Sequence, residues 1–206
     1  SSALSSTLGD LPAPNIATSS QYPASDIEWR AFIDAADAAR LVPLELLEQT
    51  YKVSIEKGEI GGVRVYEVTP AQISPEHQDR LFFHVHGGAY VLGGGDNAVA
   101  EAVQVAAASG IRALSVDYRM PPEFPFPAAI DDTIAVYRET LQSYAPAAIA
   151  IGGTSTGGGL SLAAVHRMMQ MDLPLPGAIY AGTPWSDLTK TSDSLFTNEG
   201  IDRVLV

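Results

Sequence analysis

From residue 81 onward, short apolar runs alternate with helix-patterned stretches, and few folds accommodate that order. Residues 81–86 read as a strand, 97–109 as a helix ended by Gly110, and 111–118 as a second strand. Next come a helix over 128–144, a strand over 147–151, a helix over 156–171 and a strand over 177–181. The strands are nearly continuous in Val, Ile, Leu, Phe and Ala rather than alternating with polar residues. Such strands are buried on both faces, so the pattern predicts a parallel sheet with helices on either side.

The sequence ahead of this segment reads differently. Residues 1–24 are rich in Ser, Pro and Ala without periodicity and are expected to form a flexible arm. Ser25 and Glu28 make a capping-box pattern before Ile27, Phe32, Ile33 and Ala36, which recur at helical spacing. Pro43 breaks that helix and starts a short second one carrying Leu44, Leu46 and Leu47. Tyr51, Val53 and Ile55 alternate, Gly61-Gly62 turns the chain, and Val63 and Val65 alternate again, which predicts a β-hairpin. The expected organisation is an arm over 1–24, helices over 25–50 and an α/β core over 51–206.

Composition removes several classes of function. With 24 acidic and 12 basic side chains, the formal charge of −12 repels nucleic-acid phosphates and anionic membrane surfaces. The absence of cysteine excludes disulfides, thiolate metal sites and a thiol nucleophile, but it does not fix the compartment. No apolar run approaches the ~20 residues of a membrane-spanning helix.

Two motifs carry chemistry. Gly153-Thr154-Ser155-Thr156-Gly157 fits G-x-S-x-G and lies between an apolar strand and a helix, where a nucleophile elbow requires it. Small residues around Ser155 permit a sharp turn and close approach to Oγ, and the following helix points its positive end at developing negative charge. The bland alternative is a glycine-rich strand–helix turn. His86-Gly87-Gly88-Ala89 follows the strand over 81–86, where glycines would leave backbone N–H groups open to an acyl carbonyl. Its bland alternative is an ordinary glycine turn.

These stretches resemble the hormone-sensitive-lipase family of α/β-hydrolase esterases. The resemblance rests on His86–Tyr90, on Asp117-Tyr118-Arg119 with Pro122-Glu123 and Phe126-Pro127-Ala128-Ala129, on Gly153–Gly158 and on Thr183–Leu188. It implies a three-layer α/β-hydrolase sandwich with an N-terminal helical cap. It also implies ester hydrolysis through a Ser155 acyl-enzyme, with Gly87, Gly88, Ala89 and Thr156 at the oxyanion hole. Trp29, Phe32 and Tyr90 are expected at the acyl pocket. Ala89 stands where many members carry a third glycine, and Thr156 replaces the commoner alanine. Short- to medium-chain acyl esters are the expected substrates, with no metal and no cofactor implied.

In the family the triad acid and histidine follow later strands, downstream of the elbow. The sequence ends at Val206, so the C-terminal strands and both partners of Ser155 are expected in further polypeptide of the same protein. Internal substitutes are poor. His166 lies about 16 Å along the helix from Ser155, His84 falls within a buried strand, and His77 lies in a polar loop. His86 is expected to brace its own loop. Asp187 follows the sixth strand, a position used for the acid in some other α/β-hydrolases. Arg119, Glu123, Asp131 and Asp132 are expected to pin the Pro-rich loop to the sheet. His84-x-His86 lacks a third metal ligand, and Gly93-x-Gly95-x-x-Ala98 lacks the leading strand of a dinucleotide motif. A non-catalytic ligand-binding protein on a hydrolase scaffold is the alternative function, and a homodimer is an open possibility.

Overall fold

The structure, a computed structural model, describes residues 23–189, 191 and 193–197. Its contacts divide the chain into two compact units, one of Asp26–Ser186 and one of Ser1–Ser25 with Asp187–Val206. Within the described part of the second, the five-residue helix over Asp193–Thr197 is the regular element. The segments over 1–22 and 198–206, with most of the expected arm, lie outside the described residues.

Asp26–Ser186 begins with helix α1 (Asp26–Arg40) and helix α2 (Leu44–Tyr51), broken apart at Pro43 as the sequence predicts. The hairpin follows as β1 (Val53–Ile60) and β2 (Val63–Pro70), turning at Gly61 and Gly62 with φ of 60° and 79°. Tyr51, expected in the first strand, closes α2 instead, and Lys52 takes the left-handed cap conformation at φ 55°. Four further strands are β3 (Leu81–Val85), β4 (Arg112–Val116), β5 (Ile149–Thr154) and β6 (Ala178–Gly182). Helices α3 (Ala100–Ser109), α4 (Ala128–Thr140) and α5 (Thr156–Gln170) connect them.

One six-stranded sheet results, in the order β1-β2-β4-β3-β5-β6. Strands β4, β3, β5 and β6 run parallel, and β2 joins β4 antiparallel. Strand alternation distributes the core to both faces. Leu81, Phe83, Val85, Leu114 and Val116 pack toward α4 and α5 with Ile134, Leu160 and Met168. Phe82 and Ala113 pack toward α2 and α3 with Leu47, Ala102, Val103 and Ala106. All five residues of β3 are buried, as expected of a central parallel strand.

Several boundaries differ from the sequence reading. The helix expected over 97–109 is preceded by a 3-10 turn, Gly95–Val99, and starts at Ala100. Helix α4 stops at Thr140 rather than Tyr144, with turns closing onto the carbonyls of Glu139 and Thr140. On α1 only Ile33 is buried, while Ile27 is 82% and Phe32 49% exposed. Helical spacing therefore located the helix but overstated the width of its packed face.

Candidate active site

The segments leaving the C-terminal ends of β3 and β5 meet at the elbow. Ser155 occupies the tight turn between β5 and α5, with φ 60° and ψ −124°. A non-glycine residue reaches this region only when its surroundings hold it there. On one side the Ser155 N–H donates to Gly182 O at 2.8 Å. On the other, its carbonyl accepts from Gly159 N at 3.1 Å and Trp185 N at 3.0 Å. Glycine flanks the turn for a steric reason. A Cβ on Gly153 or Gly157 would run into the carbonyl oxygen of Val85.

The His86–Tyr90 loop packs directly against this turn. A Cβ on Gly87 would lie 2.7 Å from Thr154 O and 3.5 Å from Ser155 Cβ. Gly88 has φ 120°, and a side chain there would strike the Leu92 carbonyl. Ala89 and Tyr90 continue in the left-handed region at 56° and 62°, and the Gly88 carbonyl accepts from Val91 N and Leu92 N. Gly87 and the elbow are thereby brought together, with Thr156 at the first position of α5. First-turn helix amides have no acceptor within the helix.

His86 is a buried brace for the loop. Its ring stacks on Tyr118 at 4.1 Å, Nδ1 lies 2.7 Å from Gly87 O, and the Tyr118 hydroxyl donates to His86 O at 2.7 Å. Burial lowers its basicity to a pKa of about 4, although its bond with Gly87 O favours the protonated ring. His84 is fully buried and bonded at both nitrogens, to Ser115 Oγ and Glu101 Oε2. His77 is half-buried in a 3-10 turn at Pro75–His77. Asp187, described within the other unit, is exposed and accepts from Thr189 N, Thr189 Oγ1 and Thr191 Oγ1. Those hydrogen bonds hold its pKa at about 2.

Trp29 and Phe32 meet edge to face at 5.9 Å on α1. A cavity of about 290 Å³ beside α1 is lined by Arg30, Ile33, Asp37, Arg64, Tyr118 and Glu123 among others, and neither Trp29 nor Phe32 is in its lining. The charged residues of the Pro-rich loop hold helices rather than the sheet. Arg119 pairs with Asp132 of α4, its Nη2 lying 2.7 Å from Oδ1. Glu123 pairs with Arg30 of α1, whose Nε donates to Oε1 at 2.9 Å. Asp131 is exposed.

Asp37 and Glu101, which the sequence reading passed over, also support the site, together with Asp117. Asp37 Oδ1 accepts from Gly93 N at 2.9 Å, and Asp117 Oδ1 accepts from Gly95 N at 3.0 Å. Glu101 holds Thr154 through both carboxylate oxygens. These partners lie 22 to 56 residues apart in sequence, so no local spacing reveals them. Among the described residues, no helix is long and apolar enough to cross a membrane.

Comparison with known proteins agrees with the fold. Residues 82–205 match the model of a family described as having the alpha/beta hydrolase fold. An acetyl-hydrolase of Streptomyces hygroscopicus is 32% identical over 165 residues, covering 79% of this chain and 54% of that protein. The crystal structure of an esterase, E25, superposes with a TM-score of 0.91 at 40% identity, covering 98% of this chain and 62% of its own. An esterase from the bacterial hormone-sensitive lipase family gives 0.69 at 32% identity, covering 87% of this chain and 65% of its own. The chain spans about half the length of the curated relatives it matches.

Proposed function

The chain belongs to the α/β-hydrolase-fold family, in its hormone-sensitive-lipase-like branch, and on that premise we propose that it is the nucleophile-bearing part of a serine carboxylesterase. The observation that carries the reading is Ser155 at φ 60° on the strand–helix turn, with Gly87 packed against it. Ser155 Oγ attacks the acyl carbon of a short- to medium-chain ester. The carbonyl oxygen becomes an oxyanion received by the backbone N–H groups of Gly88, Ala89 and Thr156, with Gly87 shaping the approach. Collapse of the tetrahedral intermediate expels the alcohol, and water then releases the acid from the acyl-enzyme.

The general base is a histidine from polypeptide beyond Val206, oriented by an acid from the same segment. His84 is bonded at both ring nitrogens and His86 at Nδ1, and a pKa near 4 makes the buried His86 a poor proton acceptor at neutral pH. Helices α1 and α2 serve as the cap, with Trp29, Phe32 and Tyr90 facing the acyl group. The test is ester hydrolysis by the intact protein with p-nitrophenyl acetate and butyrate. Ser155→Ala should lower kcat by about 10⁴ or more, as in other nucleophile deletions. Retention of most of the wild-type rate would refute the assignment of Ser155, and no hydrolysis by the wild-type protein would favour a binding protein.

A further inference from the structure

The Ser155 turn is backed by a polar network in which His84 and Ser115 are buried and Glu101 and Thr154 partly so. Helix α3 contributes Glu101, β3 contributes His84, β4 contributes Ser115 and β5 contributes Thr154. Glu101 Oε1 accepts the Thr154 hydroxyl at 2.6 Å, and Oε2 accepts the Thr154 backbone N–H at 3.2 Å. Oε2 also lies 3.2 Å from His84 Nε2. The opposite ring nitrogen, Nδ1, lies 2.8 Å from Ser115 Oγ. Ser115 Oγ in turn donates to Ala98 O at 2.7 Å.

Counting protons decides the state of the ring. A serine hydroxyl carries a single proton, and that of Ser115 goes to the Ala98 carbonyl. Ser115 Oγ can therefore only accept from His84, which requires a proton on Nδ1. Were the ring neutral with that proton, the Nε2 lone pair would face a carboxylate oxygen. The alternative neutral tautomer would need the Ser115 proton on Nδ1, taking it from the Ala98 carbonyl. With every contact of the network hydrogen-bonded, a proton occupies the line between Nε2 and Oε2 as well. It belongs on the ring, because two donors from Thr154 already stabilise the Glu101 carboxylate. Burial raises the pKa of Glu101, yet hydrogen bonds from His84 and Thr154 outweigh it and leave the group more acidic than usual.

We propose that the buried His84 and the partly buried Glu101 form an imidazolium–carboxylate pair that clamps Thr154 and thereby positions Ser155 for attack. The φ of 60° at Ser155 is sustained only if both neighbours of the turn are held. The Ser155 N–H bond to Gly182 and the two bonds from Thr154 to Glu101 secure the N-terminal side, and the bonds from Gly159 N and Trp185 N to the Ser155 carbonyl secure the other. A displacement of Oγ of the order of 1 Å costs about 10²-fold in rate, so a clamp one residue away carries catalytic weight without touching substrate. His84 and Glu101 are positioning residues, and their role rests on the reading of Ser155 as the nucleophile.

The test combines a spectroscopic readout with kinetics on the intact protein. With ¹⁵N-labelled histidine, His84 should show protons on both ring nitrogens at neutral pH, a result that needs no activity and no variant. A neutral His84 ring overturns the pair. In p-nitrophenyl acetate hydrolysis, Glu101→Gln and Thr154→Val should each lower kcat by at least about tenfold, with KM changed by less than about threefold. Thr154→Ser, which keeps the hydroxyl, should restore most of the rate. Wild-type kcat in both Glu101→Gln and Thr154→Val overturns the positioning role. Ser155→Ala is assayed alongside, since an active Ser155→Ala variant would overturn the nucleophile while the nitrogen spectrum still judges the pair.

Discussion

The Asp37 carboxylate of helix α1 accepts the backbone N–H of Gly93 at 2.9 Å, and so ties the N-terminal helix to the loop that runs from His86 to Gly95. The tie is tight because a Cβ on Gly93 would lie 2.9 Å from Gly87 O. Asn97 Nδ2 adds a second link by donating to the Asp37 carbonyl at 3.1 Å. The position of α1 and the shape of the His86–Gly95 loop are therefore coupled through Asp37, Gly93 and Asn97.

Asp37→Ala removes a charged acceptor from a partly buried amide. It should lower stability by about 1–3 kcal/mol and reduce kcat along with it. Urea unfolding paired with ester hydrolysis checks both, and an unchanged kcat would separate the helix from the loop.

Gly88→Ala tests the loop itself. At φ 120° a side chain would collide with the Leu92 carbonyl, so the backbone must shift and carry the donor proposed at Ala89 with it. Loss of one oxyanion donor costs roughly 10²–10³ in kcat. Steady-state kinetics should show that loss with little change in KM.

The same residues show how far the sequence could be read. The order of strands and helices was legible because each apolar run in β3, β4 and β5 is buried on both faces. The elbow was legible because Gly153 and Gly157 meet the Val85 carbonyl, a steric demand that leaves a local signature. The bracing of the Pro-rich loop was read with the wrong anchor. Arg119 and Glu123 reach the helices through Asp132 and Arg30, and long-range charge pairing has no periodicity. Glu101 was invisible for a related reason. Its partner Thr154 lies 53 residues away and is brought to it only by the packing of α3 on the sheet.

His86 gives a pH dependence of stability. Its pKa falls from 6.5 unfolded to about 4 folded, chiefly through burial, so the unfolded chain binds more protons between those values. Stability from this group is complete above pH 6.5 and is lost as pH falls toward 4, by at most about 3 kcal/mol. Urea midpoints at pH 7.5 and 5 should show the decline. A His86→Gln variant should show a shallower one.

Trp29 and Phe32 make an aromatic pair on a helix whose buried residue is Ile33. If they face the acyl chain, Trp29→Ala and Phe32→Ala should shift the ratio of butyrate to acetate hydrolysis while moving the urea midpoint little. An unaltered ratio with a lowered midpoint would make them packing residues.

Covalent capture at Ser155 tests the central claim most directly. The intact protein is treated with a fluorophosphonate, digested, and the modified residue located by mass spectrometry. An activated serine displaces fluoride and retains the phosphonyl group, so the account predicts one adduct on the peptide containing Gly153–Gly157, at Ser155, with activity lost in proportion to labelling. An unlabelled Ser155 in protein that hydrolyses esters, or inactivation by an adduct on another residue, would contradict it.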